Sequence, residues 1–503
     1  MRSTWSCAVC DLSLAPAPRP TPESPMPAMT FIRTRSRAAV LVMLSVALPS
    51  VAGADDVLLA RYLDQALTEN PALQAQDQAV ASRGYAADSA DAQRLPSLSL
   101  NARYTRAEGG RTIDFPAGDL LNGVYATLNR YLEEHGEAPQ FPQIDNQSIA
   151  LLRRKEQETK LSLTAPLFAP QLWAQADAQH ALLGAGLAER EAFARVLVRE
   201  LKRAYYGAAQ AQAAVEILES SERLLAENVR VSEALVRAGK ATRDRVLRAE
   251  AERLAIVQRL DAARDQAARA RRLLNLLRGQ TTETPVEVPS PEQLSAPTLA
   301  QPKSQTRPQT RPELRQIDHS IDAADAAARA AGASKLPTVA LAADYGVQGE
   351  DYGFGRDDDF GTASLVLSWN LWDFGARGDD RRRARADAEQ LRAQRIDAER
   401  RLDLARRSAA DDLATATRAI DAAQARVVAA EEVFRIAERK RAVASLSQVE
   451  FLDAERALTE ARLNLAVARC TAQDRAAELE LATASYALPA RLNDHRATGT
   501  ATE

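Results

Sequence analysis

Two closely similar ten-residue segments lie 241 residues apart, and this internal repeat constrains the fold more than any other feature. LPSLSLNARY spans Leu95–Tyr104, and LPTVALAADY spans Leu336–Tyr345. In both segments apolar residues alternate with small or polar ones, which is the period of a β-strand. Each segment follows a helical stretch that opens at a proline, Pro71 or Pro312. A repeat of this kind predicts two structurally equivalent halves.

A second pair of alternating segments completes each half. KLSLTAPLF at Lys160–Phe168 corresponds to SLVLSWNLW at Ser364–Trp372. Each of these is followed by a very long helical pattern, from about Gln171 to Arg237 and from about Gly375 to Arg441. At about 1.5 Å per residue such a pattern makes a rod of roughly 100 Å, which favours a coiled coil over an ordinary globular helix.

Each rod ends at a short break, at 238–241 or at 443–446, and a return helix follows. In steps of three and four from Val246, nine of ten positions are apolar, and the same holds from Phe451, offset by 205. Nearly half of these positions are alanine, which lets helices pack closely as knobs into holes. The facing seam on the outgoing rod is predicted at Ile217, Leu224 and Val231.

The order basic, apolar, small identifies a signal peptide near the start. Arg33, Arg35 and Arg37 precede an apolar stretch that is too short to span a bilayer as a helix. Ala52-Gly53-Ala54 fits the cleavage rule, so the mature chain is expected to begin at Asp55. The predicted organisation is an upstream segment and signal peptide (1–54), a first repeat (55–280), a Pro-rich linker (281–311), a second repeat (312–488) and a C-terminal tail (489–503).

The remaining composition argues against catalysis and against nucleic-acid binding. The net charge of −3 gives no reason to expect nucleic acid. Cys7 and Cys10 precede the signal peptide, Cys470 stands alone, and the four histidines have no metal-ligand spacing. With no nucleophile–base constellation and no P-loop, we expect neither an enzyme nor a cofactor or metal.

The four alternating segments admit two interpretations. One is an ordinary four-stranded sheet on the side of a helical protein. The other is part of a barrel wall with lipid outside and water inside, because about 9–11 residues suit a tilted transmembrane strand. About eight strands are the small end for a closed barrel, and a bilayer does not accept free sheet edges, so the second interpretation requires several chains to share one barrel.

The combined pattern resembles the TolC-like outer-membrane efflux protein family from about Leu58 to Leu488. The matching features are the NP…LP and RP…LP segments, and LSLTAPLF and LSWNLWDFGARG before the long helices. AGKATRDRVLRAEAER and VASLSQVEFLDAERAL resemble the two helix-turn-helix tips of that family. No single motif is strong, but their order and spacing together are specific.

The resemblance implies a mostly α fold with four β-strands and a two-fold internal repeat. In a trimer these would form a long coiled-coil helical barrel and a shared 12-stranded transmembrane β-barrel. It implies an outer-membrane exit duct with a periplasmic extension, serving a tripartite efflux or type I secretion system without catalysis. The implied partners are two further copies, outer-membrane lipid, a periplasmic adaptor and an inner-membrane transporter. The alternative is a soluble periplasmic coiled-coil scaffold or adaptor protein.

The resemblance also implies functional positions at the tips. The acidic ring of the periplasmic aperture falls on Glu450 and Asp453, which otherwise are two solvated charges on a coiled coil. The basic gate residue expected near Leu446 is absent. The candidate gate partners are therefore Asp244, Arg245 and Arg441, and one hypothesis pairs either arginine with Glu450 or Asp453. Adaptor docking is expected at Ala238, Gly239, Lys240, Ala241, Thr242, Val443, Ala444, Ser445, Leu446 and Ser447.

The loop of the first hairpin, residues 107–158, is much longer than the loop of the second, near 346–359. Within it a helical spacing joins Leu120, Leu121, Val124, Leu128, Tyr131 and Leu132. If the strands are barrel staves, this loop lies at the extracellular mouth. It then either caps or narrows the opening, or is a surface loop packed on itself.

Overall fold

The structure is a computed structural model that describes residues 54–294, 297, 311–351, 358–443 and 445–493. Several predictions fall outside these residues. They are the signal peptide before Ala54, the cysteine pair Cys7 and Cys10, the tip residue Ala444, residues 295–296 and 298–310 of the Pro-rich linker, and the tail beyond residue 493.

The first part of the described chain contains five helices and four strands. Its elements are α1 (Ala54–Glu69), α2 (Pro71–Ala92), β1 (Ser97–Arg106), β2 (Thr112–Phe115), α3 (Ala117–Glu134), β3 (Gln147–Ala150), β4 (Lys155–Phe168), α4 (Pro170–Arg237) and α5 (Arg243–Leu277). The later part contains α6 (Pro312–Ala333), β5 (Thr338–Gly349), β6 (Asp359–Ser368), α7 (Ala376–Ala442), α8 (Gln448–Thr483) and α9 (Ala490–Asn493). The described chain is thus mostly helical with a few antiparallel strands, as predicted.

Prolines and caps set where the helices begin. Asn70 caps α2, because its side-chain oxygen accepts hydrogen bonds from the backbone N–H groups of Ala72 at 2.9 Å and Leu73 at 3.1 Å. Pro71 and Pro312 occupy the first turn of α2 and α6, where a missing N–H costs no hydrogen bond. The predicted prolines therefore mark real helix starts.

The helices pack side by side around the two long rods, α4 and α7. Near the sheet, α2 and α6 contact α4, and α6 also contacts α7. Further along, α5 and α8 contact α4, and α8 also contacts α7. The lateral order is thus α2, α4, α6, α7 in one half of the layer and α5, α4, α8, α7 in the other.

The main sheet has the order β1-β4-β5-β6, with all neighbours antiparallel. The four predicted strands are present, but their bounds differ. β4 begins at Lys155, five residues before the predicted start, and β6 ends at Ser368, so Trp369–Trp372 lie beyond it. In addition, β2 and β3 form a separate two-stranded sheet inside the long loop. The prediction of only four strands is therefore wrong, because this hairpin is too short to stand out as an alternating pattern.

The two largest clusters of buried side chains lie among the helices. One lies where α1 crosses α4 and contains Tyr62, Leu201 and Tyr205. The Arg278 guanidinium stacks 3.9 Å from the centre of the Tyr62 ring. The other cluster lies between the two helical hairpins and includes Phe434. No helix in the described ranges has the length and apolar character needed to cross a membrane.

The return helices bury the predicted seams, including Ile256 on α5 and Leu458 on α8. On the outgoing rod the predicted seam is shifted by one residue. Ile217, Leu224 and Val231 are only half-buried, whereas the next residue of each, Leu218, Leu225 and Ser232, is buried. The reason is that α4 packs between α5 and α8, so the most enclosed stripe faces the junction of two partners.

Candidate functional site

The register of the main sheet aligns its apolar residues on one face. Leu98 lies opposite Leu163, and Leu100 lies opposite Leu161. The same face continues into β5 and β6, where Leu341 lies opposite Leu365. The side chains of Leu98, Leu100 and Leu365 are 68–69% exposed. No other element in the described part of the chain covers this apolar face, which is unusual for so many aligned leucines.

The opposite face of the same strands is polar and charged. Arg103 lies 2.8 Å from Glu158 on the neighbouring strand. Lys160 bridges Glu158 at 3.0 Å and Asp344 at 3.8 Å. The sheet therefore has an apolar face and a charged face, and both are accessible in one chain. A division of faces of this kind is expected for strands between lipid and water.

The first tip, residues 238–242, is a tight turn between α4 and α5. Gly239 has a φ of +65°, a conformation that favours glycine. The Lys240 N–H donates back to the Leu235 carbonyl at 2.9 Å, and the Gly239 N–H donates to Val236 at 3.0 Å. These bonds satisfy carbonyls at the end of α4.

The second tip, residues 443–447, closes in a related way. The Ser445 N–H donates to the Lys440 carbonyl at 2.9 Å, over the same span as the Lys240 bond in the first tip. Val443 is 73% exposed, whereas Leu446 packs against the cluster between the hairpins. The exposed residues of both tips are thus presented at the end of the helical layer.

The two tips differ in how the return helix is capped. Ser447 and Glu450 form a capping box, with the Glu450 N–H donating to Ser447 at 3.2 Å and the Ser447 N–H donating to Glu450 at 3.0 Å. At the equivalent place the first tip has Thr242 and Arg245. Thr242 makes no backbone cap and instead donates its hydroxyl to Asp244. An arginine three residues after the cap cannot accept a hydrogen bond, so the first tip cannot form this box.

The two aperture candidates lie on the exposed side of α8. The backbone N–H and hydroxyl of Ser447 hold the pKa of Glu450 below its usual range. Asp453 lies 3.5 Å from Arg456, which also binds Glu252 at 2.8 Å. Glu450 is therefore a carboxylate that also serves as a cap, while the charge of Asp453 is partly offset. Among the described residues no acidic, histidine or cysteine cluster could hold a metal ion.

Arg441 of α7 joins the two hairpins through Asn228 of α4 and also contacts Phe451 of its own hairpin, and we call these three residues the Arg441 latch. The guanidinium donates to the Asn228 side-chain oxygen at 2.7 Å and lies 4.1 Å from the centre of the Phe451 ring. Phe451 in turn packs against Phe434, with ring centroids 5.7 Å apart. Burial, and then the nearby charge of Arg245, lower the pKa of Arg441.

No ion pair joins either candidate gate arginine to Glu450 or Asp453 within the described residues of one chain. The Arg245 Nε atom is buried without a hydrogen-bond partner. The predicted pairing stays a prediction for contacts between copies. The sequence analysis missed Asn228, because a lone asparagine on a long helix has no pattern that identifies its partner.

The sequence analysis also missed a buried polar group on α8. Glu455 accepts a hydrogen bond from the Ser221 hydroxyl of α4 and another from Thr459 at 2.8 Å. Its other carboxylate oxygen is buried without a partner. This carboxylate lies between the hairpins in an otherwise apolar cluster, so it marks a costly polar contact close to the tips.

The described fold is that of solved outer-membrane channels. The chain is similar to the outer-membrane channel OprN, with a TM-score of 0.68 and 20% identity over 85% of this chain and 90% of that one. It is also similar to the outer membrane protein VceC from Vibrio cholerae (TM-score 0.68, 17% identity, 85% and 96% covered). A third is the MtrE outer membrane channel from Neisseria gonorrhoeae (TM-score 0.69, 18% identity, 85% and 88% covered). These likenesses show that the described chain has the fold of these solved outer-membrane proteins.

A family model matches the later part of the sequence. Residues 305–485 match the family model described as outer membrane efflux protein. A comparison with curated proteins gives no match. Over residues 305–485 the family match confirms the resemblance drawn from the repeats and tips, and the solved structures show the fold. OprN and MtrE are outer-membrane channels, and the alternative of a soluble scaffold is not favoured.

Proposed function

We propose that three copies of this chain assemble into one duct, the outer-membrane exit of a tripartite efflux or type I secretion system. The observation that carries the proposal is the in-register apolar face of the main sheet, uncovered in one chain, together with free edges at β1 and β6. A bilayer covers such a face but accepts no free edge, so neighbouring copies must pair β1 with β6.

The number of strands favours three copies. Two copies would supply eight strands, and the interior of so small a barrel is filled by side chains. Three copies would supply twelve strands, with room for water along the axis. In this assembly the charged face that carries Arg103, Glu158 and Lys160 lines the interior. The two repeats supply equivalent pairs of barrel strands.

The helical layer supports the same closure. Its lateral helices, α5 and α7, present apolar side chains that no element of the described chain covers. Leu247, Leu254 and Leu276 on α5 and Leu404 and Val428 on α7 are all more than half exposed. Packing α7 of one copy on α5 of the next would bury them and close a helical tunnel below the barrel.

We also propose that the two tips dock the periplasmic adaptor, which connects the duct to an inner-membrane transporter. The tips are the exposed end of the helical layer, and their caps differ. At the first tip an adaptor copy would contact a helix start without a backbone cap, where Thr242 is bonded to Asp244 instead. At the second tip it would contact a rigid capping box. The ring would then offer two kinds of docking site in alternation.

At the same end we propose that the Arg441 latch keeps the aperture closed and that Glu450 and Asp453 surround it. The latch connects α7 to α4 of the neighbouring hairpin, so the second hairpin cannot swing outward without breaking it. Exposed carboxylates repeated around a narrow opening favour cations.

Cell fractionation, unboiled gel electrophoresis and planar-bilayer recording test the assembly. We expect an outer-membrane protein that migrates as a heat-sensitive trimer and conducts ions once the latch is removed. A soluble monomer would contradict the proposal and revive the scaffold alternative. A membrane trimer that never conducts, even with the latch removed, would contradict the duct while leaving the barrel.

A further inference from the structure

The insertion between β1 and β4 is a folded unit rather than a loose loop. It consists of the β2–β3 hairpin and helix α3. Two asparagine side chains of α3 bind the segment that follows the helix. The Asn122 side chain donates to the Ile144 carbonyl at 2.8 Å and accepts from the Ile144 N–H at 2.9 Å. Asn129 makes the same two-way contact with Phe141, at 2.6 and 3.0 Å. The return segment is therefore bound to one polar stripe of α3.

The opposite stripe of α3 is apolar and uncovered. The side chains of Leu120, Val124 and Tyr131 are 54–63% exposed, and Leu121 and Leu128 are 40% exposed. These positions follow a three-to-four spacing, so they share one side of the helix, away from Asn122 and Asn129. A helix that binds its own chain through polar groups and exposes its leucines is built to pack on something else.

The charge of the insertion argues against a membrane surface as that partner. Residues 107–154, the whole insertion, contain seven acidic and four basic side chains. Helices that lie on bilayers carry lysine or arginine along their polar side and are attracted to anionic headgroups. An acidic insertion is repelled by such a surface.

The place of the insertion indicates a second copy instead. The Ala107 N–H donates to the Arg154 carbonyl at 3.0 Å, so the ladder between β1 and β4 continues directly into the insertion. β1 is the edge strand, and in the proposed ring it pairs with the neighbouring copy. The insertion therefore starts at the boundary between copies.

We propose that the apolar stripe of α3 packs against the insertions of neighbouring copies, so that the three form a helical collar at the outward mouth of the duct. The inference rests on the proposed trimer. It assigns the exposed leucines of α3 to an interface between copies and makes the collar, together with the periplasmic tips, a second narrow point of the duct.

Cysteine cross-linking of the full-length protein in its native membrane tests the collar. L128C places a thiol on the apolar stripe, V124C places one a turn earlier, and the matched control E133C lies on the polar side of the same helix. The native Cys470 does not interfere, because it is buried and burial raises the pKa of its thiol to about 12. We expect a short bismaleimide to convert L128C and V124C largely to covalent dimers and to leave E133C monomeric on a denaturing gel.

The outcomes separate the collar from the duct. If the unboiled trimer is intact but neither stripe variant cross-links, the collar is wrong and the duct stands. A fluorophore on Leu128→Cys that brominated lipid quenches would equally overturn the collar, since it would place the stripe in the bilayer. If no trimer forms at all, the proposed assembly fails, and the collar fails with it.

Discussion

Removing the Arg441 latch is expected to open the periplasmic end of the duct. In R441A the guanidinium loses its 2.7 Å hydrogen bond to Asn228 and its contact with the Phe451 ring. The hydrogen bond connects α7 to α4 and so joins the two helical hairpins of one copy, whereas the ring contact lies within the α7–α8 hairpin. The backbone of α7 is unaffected, because alanine is the best helix former.

The size of the effect follows from the contacts. A hydrogen bond to a charged group contributes about 1.5–3 kcal/mol, and here it acts between the hairpins. The cation–π contact, worth about 0.5–1 kcal/mol at a partly exposed site, stabilises the α7–α8 hairpin itself. Removing Arg441 also relieves its repulsion by Arg245 and the cost of its partial burial. We therefore expect a net loss of about 1–2 kcal/mol per copy. If three copies open together, the ratio of open to closed channels rises about a hundredfold to ten-thousandfold.

Planar-bilayer recording of purified trimers measures this ratio directly. N228A removes the same hydrogen bond and is expected to open the channel as well, and the R441A/N228A double variant is expected to be far from additive. R435A is the matched control, because Arg435 is an exposed arginine on the same helix whose partner is Glu432 on that helix. Intact R441A trimers whose conductance equals that of R435A would refute the latch.

Three further predictions concern capping, pH and the sheet. S447A removes the capping box and should lower the free energy of unfolding by about 1 kcal/mol, seen as a lower temperature of trimer dissociation on gels, whereas T242A, with no backbone cap to lose, should change it little. The pKa of Glu450 is lowered in the folded state, so its contribution is fully present above its ordinary pKa near 4.5 and is lost as pH falls through the lower folded value. The difference between S447A and wild type should therefore shrink on acidification, and a difference that grows would contradict the assignment. L100R places a charge on the apolar face and should cost about 2–4 kcal/mol in the bilayer, reducing the amount of trimer in outer-membrane fractions, while N101R on the opposite face should be tolerated. Equal losses in both arginine variants would show that the apolar face does not meet lipid.

The strands and rods could be predicted because their information is local. Alternation from Leu98 to Tyr104 identifies a strand and its two faces without knowledge of its neighbours. The spacing of three and four from Phe451 identifies a helix and its buried side, and Phe451, Leu458 and Leu465 are indeed buried. The tips were visible because both rods break at the same point of the repeat.

The fold of the insertion was only half visible. The helical spacing from Leu120 to Tyr131 predicted α3, but the short β2–β3 hairpin and the asparagine contacts were not predicted. Asparagines occur both on solvated surfaces and in caps. The sequence therefore does not indicate that Asn122 and Asn129 bind a segment 12–22 residues later.

Sequence alone determined the kinds of element, their order, and their polar and apolar sides. Tertiary structure decided which elements are neighbours. The register that aligns Leu341 with Leu365, the one-residue shift of the α4 seam and the contact of Arg441 with Asn228, 213 residues apart, all depend on it. The physical reason is that a periodic pattern identifies which residues of a helix or strand share its buried face. Which element packs on that face depends on the packing of the whole layer.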